Sequence, residues 1–195
     1  MKPGECSRTG LLLAASFGLL LLLTAACSSE VPHEGGQHLH PERLLVIDVA
    51  AGCPNSITGY TGVANTYGGS RLVPAGPISG LICRYQPQAT AASAEGGQLV
   101  RQDRLDSADT SELARALRSI TFPQTLPTRC PKGAGPQVVM GFSYPFGPDV
   151  GVWYSASGCH TLDNGELGGS EGVSPNYHNP FAHFEAIMNK LSPPV

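Results

Sequence analysis

Charge is the first thing this sequence lacks. Only 14% of its 195 residues are Asp, Glu, Lys or Arg, and the formal net charge is −3. A chain so sparsely and evenly charged has no basic surface with which to neutralise phosphates, so a nucleic-acid partner is not expected. Long hydrophobic runs are missing beyond the first 26 residues, and aromatic residues make up 7% with a single Trp. No CxxC spacing occurs among the six cysteines, so a zinc site of the usual kind is not expected. No strand–helix alternation of Rossmann type and no internal repeat is present, so no cofactor is called for. What is abundant is Gly (24) and Pro (17), the composition of short strands joined by many turns.

The amino terminus carries the most specific signal. Lys2 and Arg8 form a short positive region, nothing is charged from Leu11 to Ala26, and Leu19 to Leu23 is unbroken leucine. The run is too short for a comfortable membrane span but suits the apolar core of a signal peptide. It ends Leu23-Thr24-Ala25-Ala26-Cys27, which looks like a lipobox. Small side chains admit the backbone to a signal peptidase, and the Cys27 thiol can accept a diacylglyceryl group. Two or three acyl chains hold a protein at a bilayer where one cannot, at about 0.8 kcal/mol per buried methylene. The reading is residues 1–26 as a lipoprotein signal peptide, 27–42 as lipidated cysteine and tether, and 43–195 as one domain. The plainer alternative is an ordinary signal peptide cut after Ala25 or Ala26. Without residues 1–26, ten basic and fourteen acidic residues remain, a mild net −4 that is silent on partners.

Residues 28–42, SSEVPHEGGQHLHPE, read as a flexible spacer. His33, His38, His40 and Glu34 are metal-ligating types, but three histidines in one loose segment do not make a formed site. Beyond the spacer, 43–50 (RLLVIDVA) reads as a buried strand, with a short strand around 60–67. Residues 78–85 and 98–104 read as a hairpin across an Ala/Ser/Gly-rich loop. A helix follows, with Ser107 or Asp109 as its cap, Leu113, Leu117 and Ile120 on one face, and Pro123 as its stop. Val138, Met140, Phe142 and Tyr144 alternate, as do Val150, Val152 and Tyr154, across a turn at 145–149, which predicts a second hairpin. A last helix is predicted with Asn179 as cap, Pro180 at its first position and the apolar stripe Phe181, Phe184, Ile187, Met188 and Leu191. The fold class expected is α+β: a small antiparallel sheet with two amphipathic helices on one face and two disulfides.

Four cysteines remain after processing: Cys53, Cys83, Cys130 and Cys159. An even count in an exported chain argues for bridges. Three pairings are possible; Cys53–Cys83 with Cys130–Cys159 is favoured, because each pair brackets one local segment.

The catalytic motifs are thin. Residues 168–172, GGSEG, match GxSxG, but the nucleophile elbow needs a strand before it and a helix after it, and here a glycine-rich turn is expected. A hydrolase using Ser170 with His160 or His178 is therefore an alternative only. Cys159 beside His160 is not a nucleophile–base pair, because neighbours on a strand point to opposite faces. Asp163 and Glu166 could form an acid/base or calcium pair, yet Asp163-Asn164-Gly165 is already explained as a tight turn. Tyr177, His178 and His183 flank the last helix and read as its cap and solvated end, with a ligand role as the alternative.

Cys53-Pro54, Leu81-Ile82-Cys83-Arg84-Tyr85, Cys130-Pro131 and Gly158-Cys159 ahead of an Asn-Gly turn resemble uncharacterised secreted lipoproteins of actinobacteria. That resemblance covers most of 44–190 and implies export and disulfides but no activity. A fainter likeness is to subtilisin-inhibitor-like proteins, in which a reactive loop follows a Cys-Pro; it would place Lys132 in that loop, although Cys83 stands on a predicted strand and not at a helix start. The expectation is a membrane-anchored, extracytoplasmic, non-enzymatic binding module facing an envelope protein or cell-wall ligand, with a tethered protease inhibitor and a small serine hydrolase as alternatives.

Overall fold

A run of apolar residues that does not alternate with polar ones must be covered on both faces if it forms a strand. Three segments here have that character, around Ile82, Met140 and Val152, and they occupy the middle of the sheet. The computed structural model describes residues 44–58, 60, 62–65, 69–87, 97–121, 135–170, 179 and 181–195, all within the unit Leu39–Val195. Along the chain run β1 (Leu44–Leu45), β2 (Gly62–Val63), β3 (Ser79–Gln86), β4 (Gln98–Leu105), α1 (Ser107–Ser119), β5 (Gln137–Ser143), β6 (Val150–Ser155), β7 (Thr161–Asp163), β8 (Gly168–Ser170) and α2 (Ala182–Leu191). The architecture is α+β: a six-stranded antiparallel sheet in the order β4-β3-β5-β6-β7-β8, with two helices. Both predicted hairpins form, β3 with β4 and β5 with β6.

Residues alternate between the two faces of the sheet. Ile82, Val138, Met140, Phe142, Val152 and Tyr154 point to one side, where they form a core with Leu113 and Leu117 of α1 and Phe184 and Met188 of α2. Both helices therefore lie on one face. Their boundaries differ from the sequence reading. Asp106, not Ser107 or Asp109, caps α1, its side chain accepting from the Ala108 and Asp109 amides, and the helix ends at Ser119, short of Pro123. Asn179 does not cap α2 directly. Its Oδ1 accepts from the Phe181 amide at 2.7 Å, fixing the chain just ahead of the helix, and Phe181 takes the cap position without a side-chain bond.

The opposite face holds the main correction. Residues 43–50 read as a buried strand, and of the described part, 44–50, only Leu44–Leu45 pairs, in a separate two-stranded parallel ladder with Gly62–Val63. From there the chain lies across the sheet as a strap. Leu45, Ile47 and Val49 are buried against Leu81, Cys83, Val139 and Trp153, while Val46 between them is 75% exposed. Alternation alone cannot tell a strand that pairs at its edge from an extended segment that packs face-on; both bury every second residue. Asp149 receives the Val49 amide at 2.6 Å, and Arg104 donates to the Val49 and Ala50 carbonyls at 2.8 and 3.0 Å.

Two glycines make room for the strap. Gly141 of β5 and Gly151 of β6 are register partners. A Cβ on Gly141 would lie 2.6 Å from Ile47 Cγ2 and 2.9 Å from Val49 Cγ2, and one on Gly151 would lie 2.9 Å from Ile47 Cγ1. Gly141→Val is expected to lower stability by about 2–3 kcal/mol through overpacking. Urea unfolding checks it. Ile47→Ala in the same chain should recover part of the loss, because the clash is with that side chain. Equal, additive losses would show that the strap does not press on Gly141.

Candidate functional site

Polar side chains that pack inside a fold need partners, so buried polar clusters mark where function or specificity is built. One such cluster sits where α2 crosses β6. Phe184 of α2 meets the ring of Tyr154 edge-on at 5.4 Å, which brings Glu185, the next residue of the helix, over the segment joining β6 to β7. There Glu185 Oε1 lies 2.8 Å from His160 Nδ1 and accepts the Tyr154 hydroxyl proton. Tyr154 Oη is 3.2 Å from the same imidazole nitrogen, and Asn179 Nδ2 donates to Glu185 Oε2 at 3.4 Å. An ionised carboxylate only accepts, so the proton between Glu185 and His160 belongs to Nδ1. His160 is 30% and Glu185 20% exposed at the side chain, so the pair is reachable from solvent yet held in place. A carboxylate that fixes an imidazole through Nδ1 can orient it as a base or as a ligand-binding group.

The hydroxyl expected to join such a histidine is that of Ser170. Ser170 ends β8, so the glycine-rich stretch expected as a turn is an edge strand over 168–170, and its Oγ shares a hydrogen bond with Thr161 Oγ1 at 2.9 Å. The helix that an elbow requires after its serine would fall in 171–178, which lie outside the described residues. Asp163 and Asn164 act as a turn: Asp163 Oδ1 accepts from the Gly165 amide, and Asn164 Oδ1 accepts from the Glu166 and Leu167 amides. His183 is exposed on α2. Tyr177 and His178, the tether residues His33, Glu34, His38 and His40, the lipidation candidate Cys27, and Cys130 with Lys132 lie outside the described residues. Among the described residues no three His, Cys, Asp or Glu side chains gather as a metal site, and no helix is long and apolar enough to cross a membrane.

Cys53 and Cys83 are bridged, with Cα atoms 5.7 Å apart, so the strap is tied covalently to β3. That is the one bridge whose two cysteines are both described. Of the second expected pair, Cys159 is buried and disulfide-bonded, while Cys130 is outside the described residues.

Three polar residues have buried roles that the sequence does not show. Glu185 was hidden on a helix read only for its apolar stripe. Asn164 is fully buried, and its Nδ2 donates to the Leu72 carbonyl at 2.9 Å, pinning the turn to a segment 92 residues away. Arg84 stands on β3 on the helix side of the sheet, 7% exposed. Its Nε donates to Ser192 Oγ at 3.0 Å and its Nη2 to Asn189 Oδ1 at 2.9 Å and to the Ser192 carbonyl. Burial lowers its pKa from the ordinary arginine value, and the Asp103 carboxylate opposes that shift. Asp103 is itself held below the usual carboxylate value, chiefly by its hydrogen bond from Arg101. Burial pushes the Tyr85 phenol up, its hydroxyl donating to the Pro54 carbonyl at 3.1 Å. Comparison with known protein families, with curated proteins and with solved structures finds no match to this chain.

Proposed function

We propose that this chain is an extracytoplasmic lipoprotein, held to a membrane by lipid on Cys27, whose domain is a non-enzymatic binding module of the cell envelope. The observation that carries this reading is the Cys53–Cys83 bridge, which ties the strap to the sheet. A disulfide built into the fold belongs to an oxidising compartment, the same destination that the uncharged run 11–26 and the Ala-Ala-Cys ending point to. The pairing of Cys130 with the buried Cys159 is part of the proposal, as is membership of the secreted actinobacterial lipoproteins that the cysteine framework resembles. The binding role is preferred to a serine hydrolase because the Ser170 hydroxyl shares a hydrogen bond with Thr161.

The test is palmitate labelling with membrane fractionation. The native chain is expected in the membrane fraction with label, and Cys27→Ser is expected to lose at least about tenfold of the label and to leave the membrane. A Cys27→Ser protein that stays labelled and membrane-bound overturns the anchor.

A further inference from the structure

We infer that the groove between residues 74–77 and α1 is a binding site for a single anionic group, a carboxylate or a phosphate, carried on a short apolar body. The groove is open to solvent and has a volume of about 180 Å³. Pro74, Pro77 and Ala114 supply apolar walls, and among the described residues the charged side chains that line it are Arg115 and Arg118, with no carboxylate in the lining. Both arginines are exposed on α1, and neither makes an ion pair among the described residues. The nearby Glu112 is engaged by Lys190 of α2 at 3.2 Å. Ser111 lines the same groove, but its hydroxyl proton goes to the Ser107 carbonyl, so the side-chain donors left for a ligand are the two guanidiniums. Planar forks of this kind match the oxygens of carboxylate and phosphate. Two cations over an apolar floor suit an anion with a non-polar part.

The walls are fixed from both sides before any ligand arrives. Tyr144 Oη donates to the Pro74 carbonyl at 3.3 Å, the Ile78 amide donates to the Ser143 carbonyl at 2.8 Å, and Arg71 Nη1 donates to the Arg118 carbonyl at 3.0 Å. A groove held open this way loses little freedom on binding, which favours a small ligand.

The inference rests on the binding-module reading only for where the natural ligand is found; anion binding is measured on purified protein and does not depend on the anchor. Calorimetric titration of the oxidised full chain in low-chloride buffer uses inorganic phosphate, acetate and isobutyrate as probes. One equivalent is expected to bind, weakened at least about tenfold in Arg115→Gln/Arg118→Gln and in part in each single variant, and unchanged in Arg101→Gln. Binding of phosphate alone assigns a phosphoryl ligand. Binding of the carboxylates alone, with isobutyrate above acetate, assigns a carboxyl group on an apolar body. No binding by any probe, or equal binding by the double variant with an unaltered urea midpoint, overturns the site.

Discussion

Cys53→Ala/Cys83→Ala is expected to unfold at a much lower urea concentration than the native chain, with a loss of about 3–4 kcal/mol. The bridged residues are 30 apart, and closing a loop of that length removes unfolded-state entropy worth roughly 3.5 kcal/mol. Two local effects act in the same direction. Cys83 is buried between Leu81 and Tyr85 on the strap side of β3, so its truncation also leaves a small void. Cys53 brings its amide to Gln102 Oε1 at 2.8 Å, a bond across to the edge strand β4 that the bridge helps to hold in register. Amide exchange separates the contributions. If the bridge chiefly restricts the unfolded chain, protection falls across the whole sheet; if it chiefly clamps the strap, loss concentrates in residues 44–58. A double variant within about 1 kcal/mol of the native chain would mean the strap is held by packing alone.

The parts of this fold that sequence made legible are those whose signal is local. The stripe from Phe181 to Leu191 and the alternation from Val138 to Tyr144 and from Val150 to Tyr154 are periodicities of a helix and of strands, and each formed. The strap was not legible, because Leu45, Ile47 and Val49 carry a strand's alternation and only the distant Gly141 and Gly151 show that it packs across the sheet. A sign of it was present in β3, β5 and β6, whose middles are apolar on both faces and so required a second covering layer. The polar cluster was less visible still. His160 and Glu185 are 25 residues apart and meet only because Phe184 seats α2 on Tyr154. Arg84 reads as an ordinary strand cation until the end of α2 is laid over it.

Arg84→Met is expected to cost about 3 kcal/mol, although methionine fills much of the same volume. The side chain stands on the helix side of β3 and spends its guanidinium on the last turn of α2: Ser192 Oγ, the Ser192 carbonyl and Asn189 Oδ1. A cation at a helix C-terminus meets the negative end of the dipole as well as the open carbonyls. Hydrogen bonds from a charged donor contribute about 1.5–3 kcal/mol each at most, and the loss is not their sum, because Asn189 is exposed and can turn to water. Ser192 cannot: it is fully buried, so its carbonyl loses the guanidinium with no water to replace it, while its hydroxyl keeps the Asp103 carboxylate as partner. Arg84→Lys should fall between the two, since one ammonium cannot span both Ser192 and Asn189 with the guanidinium's fork. Urea unfolding gives the magnitude, and faster amide exchange confined to the last turn of α2 identifies the cause. If Arg84→Met lies within about 1 kcal/mol of the native chain with α2 protection intact, the guanidinium is not what seats that helix on the sheet.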